Sequence, residues 1–247
     1  MSHSLANDTV ESRMAMAEMP VGPHDGRDDG DRASKEFLDN DSGACAFHAI
    51  AQGRRSIRRF RDDKVDHAIL DRLFHTAGQA PSAHNRQPWR FAVLEDMLWK
   101  ERLALAMGNR LRTDRSADGD ETETIERDVG RSYARITQAP VVVIASACMR
   151  DMDAYPDVKR QTAELLMAVQ STAMAVQNLL LAAHAEGLGA GMMCAPLFCG
   201  DVVSLALELP PDWLPQSLIT LGWPAAAGRM RGRYDLDEIV WRPGSPR

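Results

Sequence analysis

A chain of 247 residues with 45% hydrophobic and 26% charged side chains is long enough for one sizeable domain and has the composition of a packed globular protein. A net charge of −6 and a pI near 5.7 argue against a general polyanion binder, whose phosphate-tracking surface makes the balance basic. The four cysteines, Cys45, Cys148, Cys194 and Cys199, show no paired spacing of a disulfide framework, which fits a reducing cytosol, and the N-terminus has no basic region followed by an apolar stretch of signal-peptide length.

Residues 1–41 are rich in Asp, Gly, Ser and Met without periodicity and hold almost nothing to bury, so a disordered acidic tail is expected there and a single domain over 42–247. Ile69, Leu70, Leu73, Phe74 and Ala77 recur at helical spacing behind an N-cap at Asp66, which predicts a helix over Asp66–Gln79. "WRFAVL", Trp89–Leu94, reads as a strand by alternation and β-propensity. A helix follows around Met97–Met107, and the polar stretch Arg112–Glu126 is expected to loop out as a mobile segment over a site. Another helix, around Ile125–Thr137, is stopped by "QAP" before the strand Val141–Ala147. The most apolar long segment, Gln161–Glu186, is interrupted by Glu164, Gln170, Gln177, Asn178 and His184, too polar for a membrane span, and reads as a buried core helix closed by Gly187. "LGAGMMC" then reads as extended, "CGDVVSLALEL" as a short helix capped by Asp201 and ended by Pro210 and Pro211, and "SLITLGW" as the last strand. The layout is α+β: a small antiparallel-type mixed sheet, flanking helices with one long apolar helix, and an extended C-terminus able to reach a second subunit.

Several chemistries fail on context. "GLGAG", Gly187–Gly191, closes a helix and opens a strand, the reverse of a dinucleotide loop, so it reads as a helix cap and a close backbone approach. A Walker-type lysine motif and a "GxSxG" elbow are both missing from the sequence. Cys194 and Cys199 lack the two further ligands that zinc needs and read as buried thiols, so no metal is expected. Of the histidines only His84 sits in a motif-like stretch, while His75 and His184 read as helix-face residues.

Three pieces carry information: "RRSIR", Arg54–Arg58, "APSAHNRQPW", Ala80–Trp89, and "RMRGR", Arg229–Arg233. Taken singly, each has a plain reading: a solvated face, a polar turn before an edge strand, and a solvated tail. Taken together, two separated arginine clusters can converge on one dianionic phosphate through paired charge-assisted bonds, with Ser56 adding a hydroxyl, and Asn85 and Gln87 can read the donors and acceptors of a heterocycle. A nucleic-acid groove is the weakest reading, because only Phe60 and Trp89 lie near the arginines.

In that combination the sequence resembles the FMN-dependent nitroreductase family. "RRSIRRF", "APSAHNRQPWRFAVL", "AVQNLLLAAHAEGLGAGMM" and "LITLGWP" followed by "RGR" stand in that family's order, over about residues 46 to 242. The resemblance implies an α+β sandwich and an obligate homodimer with swapped terminal extensions and one FMN in each of two interfacial sites. By position, Arg54, Arg55, Ser56 and Arg58 match the first FMN motif, the leading cations on phosphate and ribityl chain and Arg58 at the pyrimidine side of the ring. Pro81, Ser82 and Asn85 match the loop that reaches the partner subunit's flavin, and Arg231 and Arg233 match a C-terminal phosphate clamp. Gly191 and Met192, within "GAGMM", match the strand whose backbone faces flavin N5. The enteric-type members place Glu-Gly there, so Met192 and Met193 leave only a backbone amide to tune N5. Arg59 and Arg61 are left to face solvent or pair with Asp62 and Asp63.

The chemistry implied is the cofactor's: hydride from NAD(P)H enters at N5, Arg58 offsets the charge of the reduced flavin, and electrons pass to a nitroaromatic, quinone or similar small acceptor in a ping-pong cycle, with no side chain acting as acid or base. "IERDVGRSYARITQAPVVVI" and "FCGDVVSLALELPPDWLPQSLITLGWP" are also similar to the flavin domain at the C-terminus of coenzyme F420 glutamate-ligase proteins, which leaves a deazaflavin reductase or binder open. A non-catalytic flavin carrier is a further alternative. A flavin-consuming enzyme of the benzimidazole-synthase type ranks lower, since its loop before "QPW" differs from "SAHN". No nucleic-acid or membrane partner is expected.

Overall fold

The structure, a computed structural model, describes residues 41–244. The expected tail, residues 1–41, lies outside them except for Asp41. The chain separates into Met1–Cys45, of which only the start of one helix is described, and the unit Ala46–Arg247.

The first helix, α1 (Asp41–Gly53), ends where the Arg54 amide donates to the Ile50 carbonyl at 3.0 Å and the arginine motif leaves it as extended chain. α2 (His67–Gly78) starts as the sequence predicts, with the Asp66 carboxylate accepting from the Ala68 amide. β1 (Trp89–Leu94) follows, then α3 (Met97–Ala117), α4 (Thr122–Thr137), β2 (Val141–Cys148), α5 (Val158–Ala185), β3 (Gly189–Met193), α6 (Gly200–Leu207), β4 (Trp213–Gly222) and the single turn α7 (Leu236–Ile239).

The sheet runs in the order β1-β2-β4-β3 with every strand pair antiparallel. Its central strand β2 is buried along its whole length, and alternation along it sorts the core into two layers. Val141, Val143 and Ala145 face α2 and α5 through Leu70, Leu73, Ala77, Val176, Leu179 and Ala183. Val142 and Ile144 face α3, α4 and α6 through Leu103, Met107, Ile136 and Val203. The α+β sandwich expected from the sequence is the fold.

Three details differ from the sequence reading. Arg112–Glu126 is not a long loop: Arg112–Ala117 continue α3, Thr122 already opens α4, and only residues 118–121 turn the chain. Ion pairs tie this stretch together, Arg112 to Glu126 at 2.7 Å and Arg115 to both Asp120 and Asp128. β4 begins at Trp213 and runs through Pro215, because β3 pairs only with Leu218–Gly222 and leaves the first half of β4 an edge on that side, where a missing N–H is tolerated. Asp201 lies in the first turn of α6 rather than capping it, and its carboxylate is taken by Arg110 at 2.6 Å, which holds it below the usual carboxylate range.

α5 also departs from a fully buried helix. One face, with Ala168, Ser171, Thr172, Ala175, Val176, Leu179 and Ala183, enters the core, while Leu165, Leu166 and Met174 on the other are exposed. Its mean hydropathy of 1.5 over 18 residues is high enough, by length and composition, for a membrane span, so the polar residues do not exclude one on composition. The buried face, packed on α2 and the sheet, identifies it as a core helix with an uncovered side.

Candidate cofactor site

Beyond α1 the chain from Arg54 to Phe60 runs extended along the open edge of β3. Ser56 bridges Ala190 in parallel, the Ile57 amide donates to the Ala190 carbonyl at 2.8 Å, and Phe60 bridges Pro224. Two glycines let the backbones approach this closely. A Cβ on Gly191 would lie 2.5 Å from the Ile57 carbonyl oxygen, and one on Gly228 would lie 2.3 Å from Arg55 Cβ. The first contact seats the arginine motif against β3, and the second folds the C-terminal segment back over that motif.

The result is a cavity of about 790 Å³ lined by Arg54, Arg55, Ser56, Arg58, Arg231 and Arg233. The two basic clusters, more than 170 positions apart in sequence, therefore meet. Arg59 and Arg229 line it as well. Arg61 behaves as expected, paired with Asp63 at 3.1 Å and lying over the Trp223 ring; Arg59, expected beside it in solvent or on an aspartate, is exposed but belongs to the cavity wall. Sequence reasoning missed Arg59 as a wall residue, and it placed Arg229 in the C-terminal cluster without giving it a role beside Arg231 and Arg233. The odd-numbered spacing of 229, 231 and 233 was the available signal for Arg229, since alternate side chains of an extended segment share a side.

The electrostatics favour an anion. Among the described residues eleven arginines, from Arg61 to Arg160, are paired with carboxylates, whereas none of the seven arginines in the cavity wall is. Among the described residues, the wall contains no Asp or Glu.

Gly191 and Met192, on β3, do not line this cavity; Gly191 lies against Ile57 and Arg58, which do. Ala190 turns its carbonyl out of the sheet toward Ile57, so by alternation the Met192 amide, two residues on, points to the same open edge. The Thr220 hydroxyl donates to the Gly191 carbonyl at 3.2 Å and fixes that peptide from behind. The Met192 side chain is 39% exposed. Cys194, expected to be buried, is exposed, while Cys199 is buried and its thiol is pushed up by desolvation.

Pro81, Ser82 and Asn85 do not line the cavity of their own chain. They belong to a loop held in a costly conformation, with His84, Asn85 and Gln87 all at positive φ (49°, 53° and 48°). The Ser82 hydroxyl accepts from the Gln87 amide at 3.0 Å and Arg86 pairs with Asp153 at 2.8 Å, which keep this loop in place.

A model of the nitroreductase family matches residues 51–223. The chain belongs to the nitroreductase family. It is 33% identical over 180 residues to a 5,6-dimethylbenzimidazole synthase of Rhodobacter capsulatus, covering 72% of this chain and 84% of that one. It is 29% identical to an NADH dehydrogenase of Thermus thermophilus, covering 76% and 92%. Among solved structures the FMN-dependent nitroreductase NfnB from Mycobacterium smegmatis, in complex with NADPH, shares the fold with a TM-score of 0.63 at 22% identity, covering 81% of this chain and 98% of that one.

Proposed function

We propose that the protein is an FMN-dependent oxidoreductase that draws hydride from NAD(P)H and reduces a small acceptor of the nitroaromatic or quinone type, acting as a homodimer. The observation that carries this is the meeting of two arginine segments, without counter-charge, on one cavity at the open edge of β3. The residues fit FMN: Arg54, Arg55, Arg231 and Arg233 suit its phosphate and Ser56 the ribityl chain. Arg58, whose Cγ lies 3.6 Å from where a Gly191 Cβ would stand, suits the pyrimidine side of the ring.

When bound, FMN supplies hydride acceptance at N5 and onward transfer of electrons. The chain's part is to bind and orient. Arg58 offsets negative charge on the pyrimidine side. The outward Met192 amide offers a hydrogen bond at the N5 edge, and Gly191, having no side chain, lets the Ile57 backbone that carries Arg58 sit close against β3. Among the described residues, no side chain of the cavity wall is suited to act as an acid or base, and in the proposed cycle donor and acceptor use the same open face in turn. In the homodimer, Pro81, Ser82 and Asn85 complete the other subunit's site, which accounts for a strained loop that contributes nothing to its own cavity.

The deciding measurement is an absorbance spectrum of the purified protein, followed anaerobically on adding NADH and then NADPH. Flavin bands that bleach are expected; flavin bands that persist with both donors would remove the nicotinamide-driven reading. Arg54→Ala and Arg231→Ala are expected to lose FMN while keeping the fold, and full occupancy in both would overturn the phosphate assignment. A second reading is favoured by one observation, the 33% identity to a 5,6-dimethylbenzimidazole synthase: a flavin-consuming enzyme without nicotinamide use. It is distinguished by a benzimidazole product from reduced FMN with dioxygen as oxidant, together with flavin bands that neither nicotinamide donor bleaches.

A further inference from the structure

We propose that Arg59 and Arg229 form a second phosphate subsite in the arginine cavity, which takes a phosphate of the nicotinamide dinucleotide rather than the phosphate of the flavin. This rests on the FMN reading and adds to it where the donor is gripped.

The argument begins from a surplus of charge. FMN carries one phosphate, a dianion with three terminal oxygens, and the motif positions already supply Arg54, Arg55, Arg231 and Arg233 for it, with Arg58 at the ring. Arg59 and Arg229 line the same cavity and bring the wall to seven guanidinium groups. Two like charges 4 Å apart repel by about 1 kcal/mol even in bulk water, and by about 4 kcal/mol at the effective dielectric near a protein surface. Elsewhere in the chain most such charges are quenched by carboxylates, at distances such as 2.8 Å for Arg72 with Glu186 and 2.7 Å for Arg102 with Glu208, with Arg127, Arg135 and Arg242 the unpaired ones among the described residues. In the wall, among the described residues, nothing quenches them. A single dianion does not balance seven cations, so the cluster is built for more than one anionic group.

The two extra arginines also hang from segments held near the arginine motif. Arg59 sits between two backbone clasps, its carbonyl accepting from the Ala225 amide at 3.0 Å and the Arg61 amide donating to the Trp223 carbonyl at 2.8 Å. Arg229 directly follows Gly228, which packs close enough to Arg55 that a side chain there would clash. Arg59 thus hangs from backbone whose position is set, and Arg229 from the residue next to the close approach of Gly228 to Arg55. The cavity of about 790 Å³ is toward the upper end of the roughly 300–1,000 Å³ of single-ligand pockets, which leaves room for part of a second ligand. Of the reactants in the proposed reaction, nitroaromatic and quinone acceptors bring no phosphate. The donor brings a pyrophosphate and, in NADPH, a 2′-phosphate.

The test uses the FMN-loaded protein with Arg59→Ala and Arg229→Ala, prepared separately. For each, flavin content is measured, and the affinities for 2′,5′-ADP and for 5′-ADP are read by calorimetry, beside kcat/KM for NADPH and NADH. The expected result is retained flavin with nucleotide affinity about tenfold or more weaker, the scale of a lost charge-assisted hydrogen bond. Weakening of 2′,5′-ADP alone assigns the subsite to the 2′-phosphate, with NADPH losing more kcat/KM than NADH. Weakening of both nucleotides assigns it to the pyrophosphate. Nucleotide affinities equal to the parent's, or loss of FMN with either substitution, overturns the inference. Failure of the function reading looks different: the parent protein then binds flavin that neither donor bleaches.

Discussion

Gly191 shows how one residue couples the fold to the site. A Cβ there would stand 2.5 Å from the Ile57 carbonyl oxygen and 3.1 Å from the Thr220 hydroxyl, and the first of these is backbone that cannot swing aside. Gly191→Ala is expected to push the Arg54–Phe60 segment off β3, lowering flavin content and destabilising by about 1–3 kcal/mol, the scale of overpacking, which is a fall of several degrees in Tm. Gly130, inside α4 with nothing within 4 Å, is the internal control: Gly130→Ala is expected to stabilise by about 0.5–1 kcal/mol with flavin unchanged. The ratio of flavin to protein absorbance and a melting curve check both, and a Gly191→Ala protein with parental Tm and flavin would refute the argument. At this scale the sequence was legible where the signal was local. Arg54, Arg55, Ser56 and Arg58 announced themselves as a cluster, and "GLGAG" was read as a close backbone approach, which Gly189 and Gly191 make against Ile57. Arg59 was not legible, since whether an arginine faces a cavity or an aspartate depends on the segment that folds over it, and that segment arrives from Gly228.

The helical hairpin α3–α4 was the element most misread, for a physical reason. Its apolar positions are diluted by Arg112, Asp114, Arg115, Asp118, Asp120, Glu121, Glu123 and Glu126, so the periodicity that marks a helix is weak there; buried Ile125 and Val129 pack the hairpin, and charge pairs between residues 5 to 14 positions apart cross it. Hydrogen bonds from Arg112 hold the Glu126 carboxyl below the usual carboxylate range, and Arg115, then Arg131, do the same for Asp128. A carboxylate depressed in the folded state stabilises it at pH above the ordinary carboxylate range, and that contribution is lost as pH falls through the folded value. The protein is therefore expected to lose Tm on acidification from about pH 5 toward pH 3. Glu126→Gln and Asp128→Asn should each lower Tm slightly at neutral pH and flatten the acid limb. The effect is small, because these pairs are solvated. Melting curves across that range, repeated in high salt, check it; an acid limb of equal slope in parent and variants would show that other carboxylates govern it.

The whole molecule is where one chain's sequence says least, because a face covered by another copy reads the same as a face covered by the chain itself. α5 was predicted as a buried core helix, and its Val176, Leu179 and Ala183 side is that. Its other side leaves Leu166 54% and Met174 39% exposed. A loop held at three positive φ angles and contributing nothing to its own cavity needs a site elsewhere to act on. Both follow if a second copy packs against α5 and receives the Pro81–Gln87 loop into its flavin site. Leu166→Glu places a charge on that side without touching the core, so the single chain keeps its sheet and both hydrophobic layers. The parent is expected to elute at twice the 27.3 kDa chain mass, and the variant at the chain mass with flavin affinity reduced, because each site loses the loop from its neighbour. Light scattering behind a sizing column, with flavin absorbance recorded on the same peak, measures both at once. A parent that elutes at the chain mass while carrying full flavin would place the whole site on one subunit, and the strained loop would then need another occupation.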